Sequence, residues 1–414
     1  PDRGSRSGSP PLSRFFPGPT RRTGRWHGGF GGTMPGRDPG EAHRTATSLE
    51  LLFDLCFVIA VAQASESLST AVTDGHHLTG SLRFALVFFT IWWAWMNFTW
   101  FASAYDVDDV PYRLTVLAQI TGSLILAAGV HRAFEEGDLR VITLGYVVLR
   151  TALAALWLRA ARSDPRRRRT ALRFAAGVTG CQIGWIGLLF LPAAAQLPAI
   201  IGLIVAELCV PVWAQSAGMT PWHPHHIAER YGLFTLIVLG ESVAAAAAAI
   251  RGAFDRHHNA GALYMLAAGG LLMVFAMWWL YFARPANSLL ATTHRAHRKR
   301  FTWAYGHYLV FASAAAVGAG LAAYAELITR WTDVPSPAAG AAVTVPMAIF
   351  LIIVWAIHVR PHQQRGGEQL AFPAAAVAVL AAAFSPAPAL IAGLAAAALV
   401  VVVTVADRTE RVRH

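Results

Sequence analysis

Long apolar blocks separated by short polar segments make up most of this chain. A block of about 20 mostly apolar residues is what a helix needs to cross the hydrocarbon core of a bilayer. Of the 414 residues, 55% are hydrophobic and 14% are charged, whereas soluble domains carry about 25% charged residues. We therefore predict an all-α fold, a polytopic integral membrane helix bundle of about twelve transmembrane helices. The twelve blocks are 47–68, 82–103, 113–131, 140–161, 170–191, 197–216, 227–250, 260–283, 301–323, 339–359, 370–385 and 388–406.

The last two of these blocks allow two interpretations. Only the short turn 385–388 divides them. They are either two separate spans or a re-entrant pair, in which the chain enters and leaves the membrane on one side.

The two ends of the chain differ from its apolar body. Residues 1–46 are rich in Gly, Pro, Ser and Arg and have no apolar periodicity, which predicts a disordered tail. Residues 407–414 form a short basic tail. Met34 stands just before the ordered part, so residues 1–33 are equally well explained by a start assigned upstream of the true one.

Arginine placement predicts the orientation. If the twelve blocks alternate, the cations gather on one side, in the N-terminal tail, 162–170, 294–300, 360–365 and the C-terminal tail. Such an excess marks cytoplasmic loops, so we predict a bacterial cytoplasmic membrane protein with both termini in the cytoplasm. The same placement accounts for the net charge of +11, so we predict the lipid bilayer as a partner and no nucleic acid. The acidic loop 105–113 is the exception.

Two pairs of short segments suggest an internal repeat. LFDL at 52–55 matches LFTL at 233–236, and IWWAW at 91–95 matches MWWLY at 277–281. We predict two parallel halves of six spans each, 47–216 and 217–406, an arrangement common in transporters. The alternative is that tryptophan pairs mark only the membrane interface. The tryptophan-rich run 88–106 has the same two interpretations, an interfacial belt or an aromatic wall inside the bundle.

Several ionisable residues lie inside the apolar blocks. A charge at the centre of a membrane helix costs roughly 2.5–3.5 kcal/mol on insertion scales, so it normally faces the protein interior and is paired. We therefore take the following as candidates for ligand binding or proton transfer: Glu50, Asp54, Arg113, Arg150, Glu207, Glu241 and His307.

Glu50 and Asp54 share one helical face because they are four residues apart. Glu50 is explained equally well as an acid in the first turn of a helix, where the dipole favours anions. Asp54 lies deeper and needs a cation inside the bundle. Arg113 and Arg150 are the partners we predict for it.

Arg150 lies near the middle of the fourth block. We expect an ion pair with Asp54, Glu207 or Glu241, serving either as a fixed packing bridge or as a substrate anchor or proton-coupled switch. Gly240, beside Glu241, is expected to let a neighbouring helix approach closely.

No sequence pattern points to a metal or a cofactor, and we predict neither. HPHH at 223–226 is interrupted by proline and is best explained as a solvated loop. The acidic loop 105–113 offers too few ligands for a divalent cation. The chain has no phosphate loop, zinc-protease motif, dinucleotide fingerprint or nucleophile elbow, so the sequence gives an enzyme little support.

Three motifs, SLELLFDLCFVIAV, WWAWMNFTWFASAYDVDD and HIAERYGLFTLIVLGES, resemble signatures of the bacterial low temperature requirement protein A (LtrA) family. The resemblance covers about residues 47–405, with Leu52 where the family usually has phenylalanine. It implies a multipass membrane protein and assigns no roles to residues. It marks as family positions Glu50, Asp54, Trp93, Asp106, Glu229, Arg230, Gly240 and Glu241.

The sequence supports one function best and leaves two alternatives. Twelve spans, a repeat and buried acid–arginine pairs favour a secondary transporter, proton-coupled, with a small anionic or zwitterionic substrate suited to Arg150. The first alternative is an intramembrane enzyme that modifies lipids. The second is a non-catalytic membrane scaffold in which every buried charge is a packing bridge.

Overall fold

A computed structural model describes residues 32–38, 41, 44–255, 260–284, 290, 297–330, 336–361 and 368–413. These residues form helices without a strand. Twelve α-helices are described: α1 Ser48–Thr73, α2 His77–Tyr105, α3 Val110–Glu135, α4 Arg140–Ser163, α5 Arg168–Leu188, α6 Ala193–Gln215, α7 Pro224–Asp255, α8 Ala260–Phe282, α9 His297–Arg330, α10 Pro337–Val354, α11 Glu368–Ala381 and α12 Pro388–Arg413. A π-helical turn, Trp355–Val359, extends α10, and a 3-10 turn, Ala382–Phe384, extends α11.

The chain is a polytopic helical membrane protein, as predicted. Ten of the described helices are long and apolar enough to cross a membrane. Each of the twelve predicted blocks coincides with a helix. The other two helices are α5 and α11. Helix α5 is less apolar because it contains glycines, Arg173 and Gln182. The apolar stretch of α11, Gln369–Phe384, is short.

Successive helices run in alternate directions, and glycines bring several pairs close together. Gly122 and Gly145 lie where α3 crosses α4, and a Cβ on either would collide with the backbone of the other helix. Gly320 does the same where α9 crosses α10. We call the end of the bundle where α1 begins the near end, and the end where α1 finishes the far end.

The two sets of six helices have the same order of neighbours. In the first set α1 packs on α2 and α3, α3 on α4, α4 on α5 and α5 on α6; in the second set α7 to α12 repeat these pairings. Helix α1 also contacts α7 and α9, which joins the sets. One departure is the close packing of α8 along α12 through Gly269 and Gly393.

Two sequence interpretations need correction. Trp92, Trp93 and Trp95 are almost fully buried, so they do not form an interfacial belt: they fill the centre of the bundle.

The end of the predicted disordered tail is also ordered, because Met34 and Arg44 are buried against the bundle. Residues 1–31 lie outside the described residues, and the division into halves stays a prediction.

Candidate functional site

The start of α1 carries a capping box around Glu50. The Thr47 hydroxyl accepts a hydrogen bond from the Glu50 amide at 3.3 Å, and the Glu50 carboxylate accepts one from the Thr47 amide at 2.7 Å. The predicted role in the first turn is therefore correct. The Glu50 carboxylate also pairs with Arg44 at 3.7 Å and Arg230 at 3.2 Å, and the His226 ring lies 3.1 Å from it.

Asp54 is held by Arg230 from α7, which packs parallel to α1. Arg230 donates through Nε at 2.7 Å and Nη2 at 2.6 Å to the two carboxylate oxygens, and this bidentate geometry is the strongest form of the pair. The indole N–H of Trp95 donates to Asp54 at 2.7 Å. The predicted partners were wrong: Arg113 pairs with the exposed Asp108 at 2.6 Å, and Arg150 belongs to a different centre.

Polar groups of the N-terminal segment extend this arrangement, which we call the α1–α7 cluster: Arg44, Glu50, Asp54, Asp106, His226 and Arg230. Arg44 donates to the carbonyls of Ala102 and Ser103 at the end of α2 and lies 3.6 Å from Asp106. Burial, with the nearby Glu50 charge, raises the pKa of Asp106 to about 6 despite its arginine neighbours. Burial also lowers the pKa of Arg44. Beside the cluster, Glu229 accepts a hydrogen bond from the Ala46 amide at 3.1 Å.

A second centre joins α4 and α6. Arg150 Nη2 lies 2.6 Å from Glu207 Oε2, and both side chains are fully buried. Three more donors converge on Glu207: the indole of Trp93 at 2.8 Å, the hydroxyl of Tyr146 at 3.2 Å and the amide of Gln182 at 3.3 Å. Of the three acids predicted for Arg150, the structure selects Glu207. By helical rise, Arg150 is about 15 Å from the far end of α4.

The Arg150–Glu207 centre keeps unused hydrogen-bonding capacity. Arg150 Nε and Nη1 and Gln182 Oε1 are buried without a hydrogen-bond partner in the described part of the protein. Leaving such groups unsatisfied costs about 1–3 kcal/mol each, and more when charged. Pro211 lies four residues after Glu207 in α6. Because proline has no N–H, the Glu207 carbonyl lacks its usual backbone hydrogen bond. The helix is therefore weakened beside the buried acid.

Two cavities flank this centre. The far cavity, about 80 Å³, lies between α2, α3, α4, α5 and α6 and is lined by Tyr146 and Trp185. The near cavity, about 30 Å³, lies between α2, α4, α5, α6 and the start of α9 and is lined by Asn97 and Tyr305. One face of each of four helices runs from the far cavity through the centre to the near cavity: Thr90, Trp93 and Asn97 on α2; Tyr146, Arg150 and Trp157 on α4; Trp185, Gln182 and Phe174 on α5; Ile200, Glu207 and Pro211 on α6.

The predicted role of Gly240 is wrong. Gly240 is exposed, and a Cβ there would meet open space. The close approach to this part of α7 comes from Gly318 of α9, where an added Cβ would lie 2.9 Å from the backbone of Glu241. Glu241 itself is partly exposed. Gly240 therefore faces away from α9.

His307 belongs to a histidine pair that the sequence interpretation recognised only in part. Its Nε2 lies 3.2 Å from Nε2 of His358 and 3.1 Å from the hydroxyl of Tyr281. Both histidines are buried. A histidine inside the apolar block 339–359 was the available signal for His358, but the apolar pattern does not reveal the π-helical turn that carries it.

The segment 223–226 also differs from its predicted role. His223 and His226 are buried, and His223 Nε2 lies 2.7 Å from the Glu41 carbonyl oxygen. The solvated-loop interpretation is therefore wrong for these two residues, because the N-terminal segment covers them. Among the described residues, no group of three or more His, Cys, Asp or Glu is placed to hold a metal ion.

Comparison with known proteins gives a family and one curated relative. A family model described as "Bacterial low temperature requirement A protein (LtrA)" matches residues 45–405. A Rhizobium meliloti (strain 1021) protein, named "Uncharacterized protein RA0937", is 29% identical over 271 residues. That match covers 62% of this chain and 64% of the relative, slightly less than two thirds of its length. No solved structure matches.

Proposed function

The chain belongs to the bacterial low temperature requirement A (LtrA) family, and from this premise we propose that it is a secondary transporter whose substrate path runs through the first six helices. One observation carries the proposal: the buried Arg150–Glu207 centre lies between two cavities that approach it from opposite ends of the bundle. Transporters bind their substrate near the middle of the membrane, and alternating access opens that site to one side at a time; a buried polar centre with a cavity on either side suits this mode of action.

The hydrogen bonds of Arg150 favour a binding role over a packing bridge. A fixed bridge of buried charges is stable only when the remaining donors and acceptors are satisfied. Glu207 meets this condition with four donors, but two guanidinium nitrogens of Arg150, Nε and Nη1, have no partner among the described residues. A ligand that accepts hydrogen bonds would complete the guanidinium.

The chemistry of the centre supports a small anionic or zwitterionic substrate. The planar guanidinium of Arg150 suits a carboxylate or phosphate. Glu207 offers a place for an ammonium group when a substrate carboxylate draws Arg150 away. The tryptophan and tyrosine rings around the pair, Trp93, Tyr146 and Trp185, add faces that attract cations.

Parallel duplication, which we also propose, gains support from the matching order of helix neighbours in the two sets. The aligned segments place Asp54 opposite Thr235, and Trp95 opposite Tyr281. Trp95 donates to Asp54, whereas the hydroxyl of Tyr281 lies 3.1 Å from His307 Nε2. Of the two aligned helix positions, only the one in the first set carries an acid.

We propose that the near end faces the cytoplasm of a bacterial cell and that the membrane is the cytoplasmic one. The arginine-rich connection 162–170 lies at that end, together with the start of α7. The excess of arginine favours this side as the inside.

Uptake into proteoliposomes tests the proposal. The probes are radiolabelled glycine, glutamate, succinate and phosphate, which cover a zwitterion, a dicarboxylate and an inorganic anion. We expect flux of at least one probe, lost in Arg150→Gln and Glu207→Gln and kept in Arg113→Gln, a matched control whose arginine is off the path. Absence of flux for every probe, or full flux through folded Arg150→Gln protein, contradicts the proposal.

A further inference from the structure

We infer that His307 and His358 form the proton-binding site that couples this transporter to the proton gradient, in the second set of helices and away from the substrate path. A role of the pair in driving transport rests on the proposed function. Its ability to bind a proton rests on its own geometry. The two histidines come from α9 and from the π-helical turn of α10.

The π-helical turn places His358 where a regular helix would not. In Trp355–Val359 the backbone bonds skip one residue more than in an α-helix, and the Arg360 amide donates to the Trp355 carbonyl at 2.8 Å. Such widened turns are rare and frequently lie at functional sites. Here the turn brings the imidazole of His358 to 3.2 Å from that of His307.

Hydrogen bonding defines how the pair holds protons. His307 Nδ1 lies 2.7 Å from the Trp303 carbonyl oxygen, which can only accept, so Nδ1 carries a hydrogen and Nε2 is left as an acceptor. In the neutral pair His358 donates its Nε2 hydrogen across the 3.2 Å contact to His307 Nε2, where the Tyr281 hydroxyl, 3.1 Å away, is the competing donor. An added proton from water on one side of the membrane makes the pair a shared imidazole–imidazolium, and its release to the other side restores the neutral pair.

Aromatic rings surround the charge that this proton would bring. The His307 ring lies 4.2 Å from Trp303 and 4.8 Å from Tyr231, and the His358 ring lies 4.8 Å from Tyr281. The face of an aromatic ring attracts a cation held within about 6 Å of the ring centre. The ionisable groups that face His307 from its described neighbours are Tyr231 of α7, Tyr281 of α8 and His358 itself.

The pair is physically joined to the substrate path. Tyr231, which packs on His307, accepts a hydrogen bond from the Trp100 indole at 3.0 Å, and Trp100 lines the near cavity. Tyr305, two residues before His307 on α9, lines the same cavity and lies 5.5 Å from Trp93. Protonation of the pair therefore acts on two residues that bound the near cavity.

A pH jump applied to proteoliposomes on a solid-supported membrane tests proton binding without any substrate. We expect a transient charge displacement in the wild type, at least tenfold smaller in His307→Gln and His358→Gln. His131→Gln, on an exposed histidine of α3, should keep it. Unchanged displacement in folded His307→Gln and His358→Gln overturns the inference.

A measurement on unmodified protein covers the case in which a variant fails to fold. Nitrogen-15 NMR of histidine-labelled wild type should show a coupling between two Nε2 atoms across one hydrogen bond, and a joint uptake of one proton as the pH is lowered. Two rings that stay neutral down to the lowest pH at which the protein remains folded overturn the inference.

The two proposals fail in different ways. Displacement without flux of any probe supports the proton site and removes the transporter. Gradient-driven accumulation that survives in His307→Gln and His358→Gln removes the proton site and keeps the transporter. Loss of accumulation with intact substrate exchange in these variants supports both.

Discussion

Arg230 is the cation on which the α1–α7 cluster depends, and its removal is the perturbation with the largest expected effect. Its guanidinium reaches Asp54 at 2.6 Å and Glu50 at 3.2 Å, and all three side chains are almost fully buried. In Arg230→Gln, the Trp95 indole is the one charge-stabilising donor left to Asp54 among the residues that the structure describes. Glu50 keeps His226 and Arg44.

The magnitude follows from the cost of an uncompensated buried charge. Removing one partner of a buried pair costs about 3–5 kcal/mol. Arg230 serves two carboxylates, so we expect Arg230→Gln to lower the free energy of unfolding by about 5 kcal/mol. Asp54→Asn in the same chain removes the stranded charge, so the double variant should recover about 2–3 kcal/mol, within the usual range for residues in contact.

Reversible unfolding by SDS in mixed micelles, run as a double-mutant cycle, measures both quantities. Arg113→Gln is the control, because the Arg113–Asp108 pair is exposed to solvent and such surface pairs contribute little to stability. A coupling energy below about 0.5 kcal/mol between positions 54 and 230, or equal losses for Arg230→Gln and Arg113→Gln, would refute the reasoning.

Three further predictions concern single residues. Trp93→Phe removes a hydrogen bond to the charged Glu207 and should cost about 1.5–3 kcal/mol in the same unfolding assay; no loss would contradict the bond. Gly145→Ala should cost about 1–3 kcal/mol because its Cβ meets the backbone of α3, whereas Gly180→Ala, which faces open space, should be neutral or slightly stabilising; equal effects would contradict the packing. The pKa of Asp106 is raised to about 6, so the folded state binds this proton more tightly than the unfolded state and stability falls as pH rises through about 6. Asp106→Asn should flatten that slope between pH 4 and 6, and an unchanged slope would contradict the assignment.

The helices and part of one ion pair could be predicted from the sequence because they depend on local properties. Apolar blocks of about 20 residues identify membrane helices without knowledge of their neighbours. Arg150, in the middle of such a block, needs an acid at its own depth, which left few choices, and Glu207 was among them. These inferences use only where the apolar blocks lie in the sequence and where charged residues lie within them.

The α1–α7 cluster could not be predicted in the same way because its members meet only through tertiary packing. Arg230 reaches Asp54 because α7 lies parallel to α1, 176 positions away in sequence. Arg44 comes from a segment rich in Gly and Pro, with no periodicity to suggest order, and is buried all the same. His358 depends on a π-helical turn whose backbone no apolar pattern reveals.

Helix α2 carries the indoles of Trp93 and Trp95 two positions apart, and each donates to a buried carboxylate on a different side. One residue of an α-helix corresponds to about 100° of rotation, so a turn of α2 about its own axis cannot preserve both bonds. The hydrogen bonds to Glu207 and Asp54 therefore fix the rotation of α2 about its axis from two directions. A change of charge at either carboxylate therefore acts as a torque on α2, and the other carboxylate resists it.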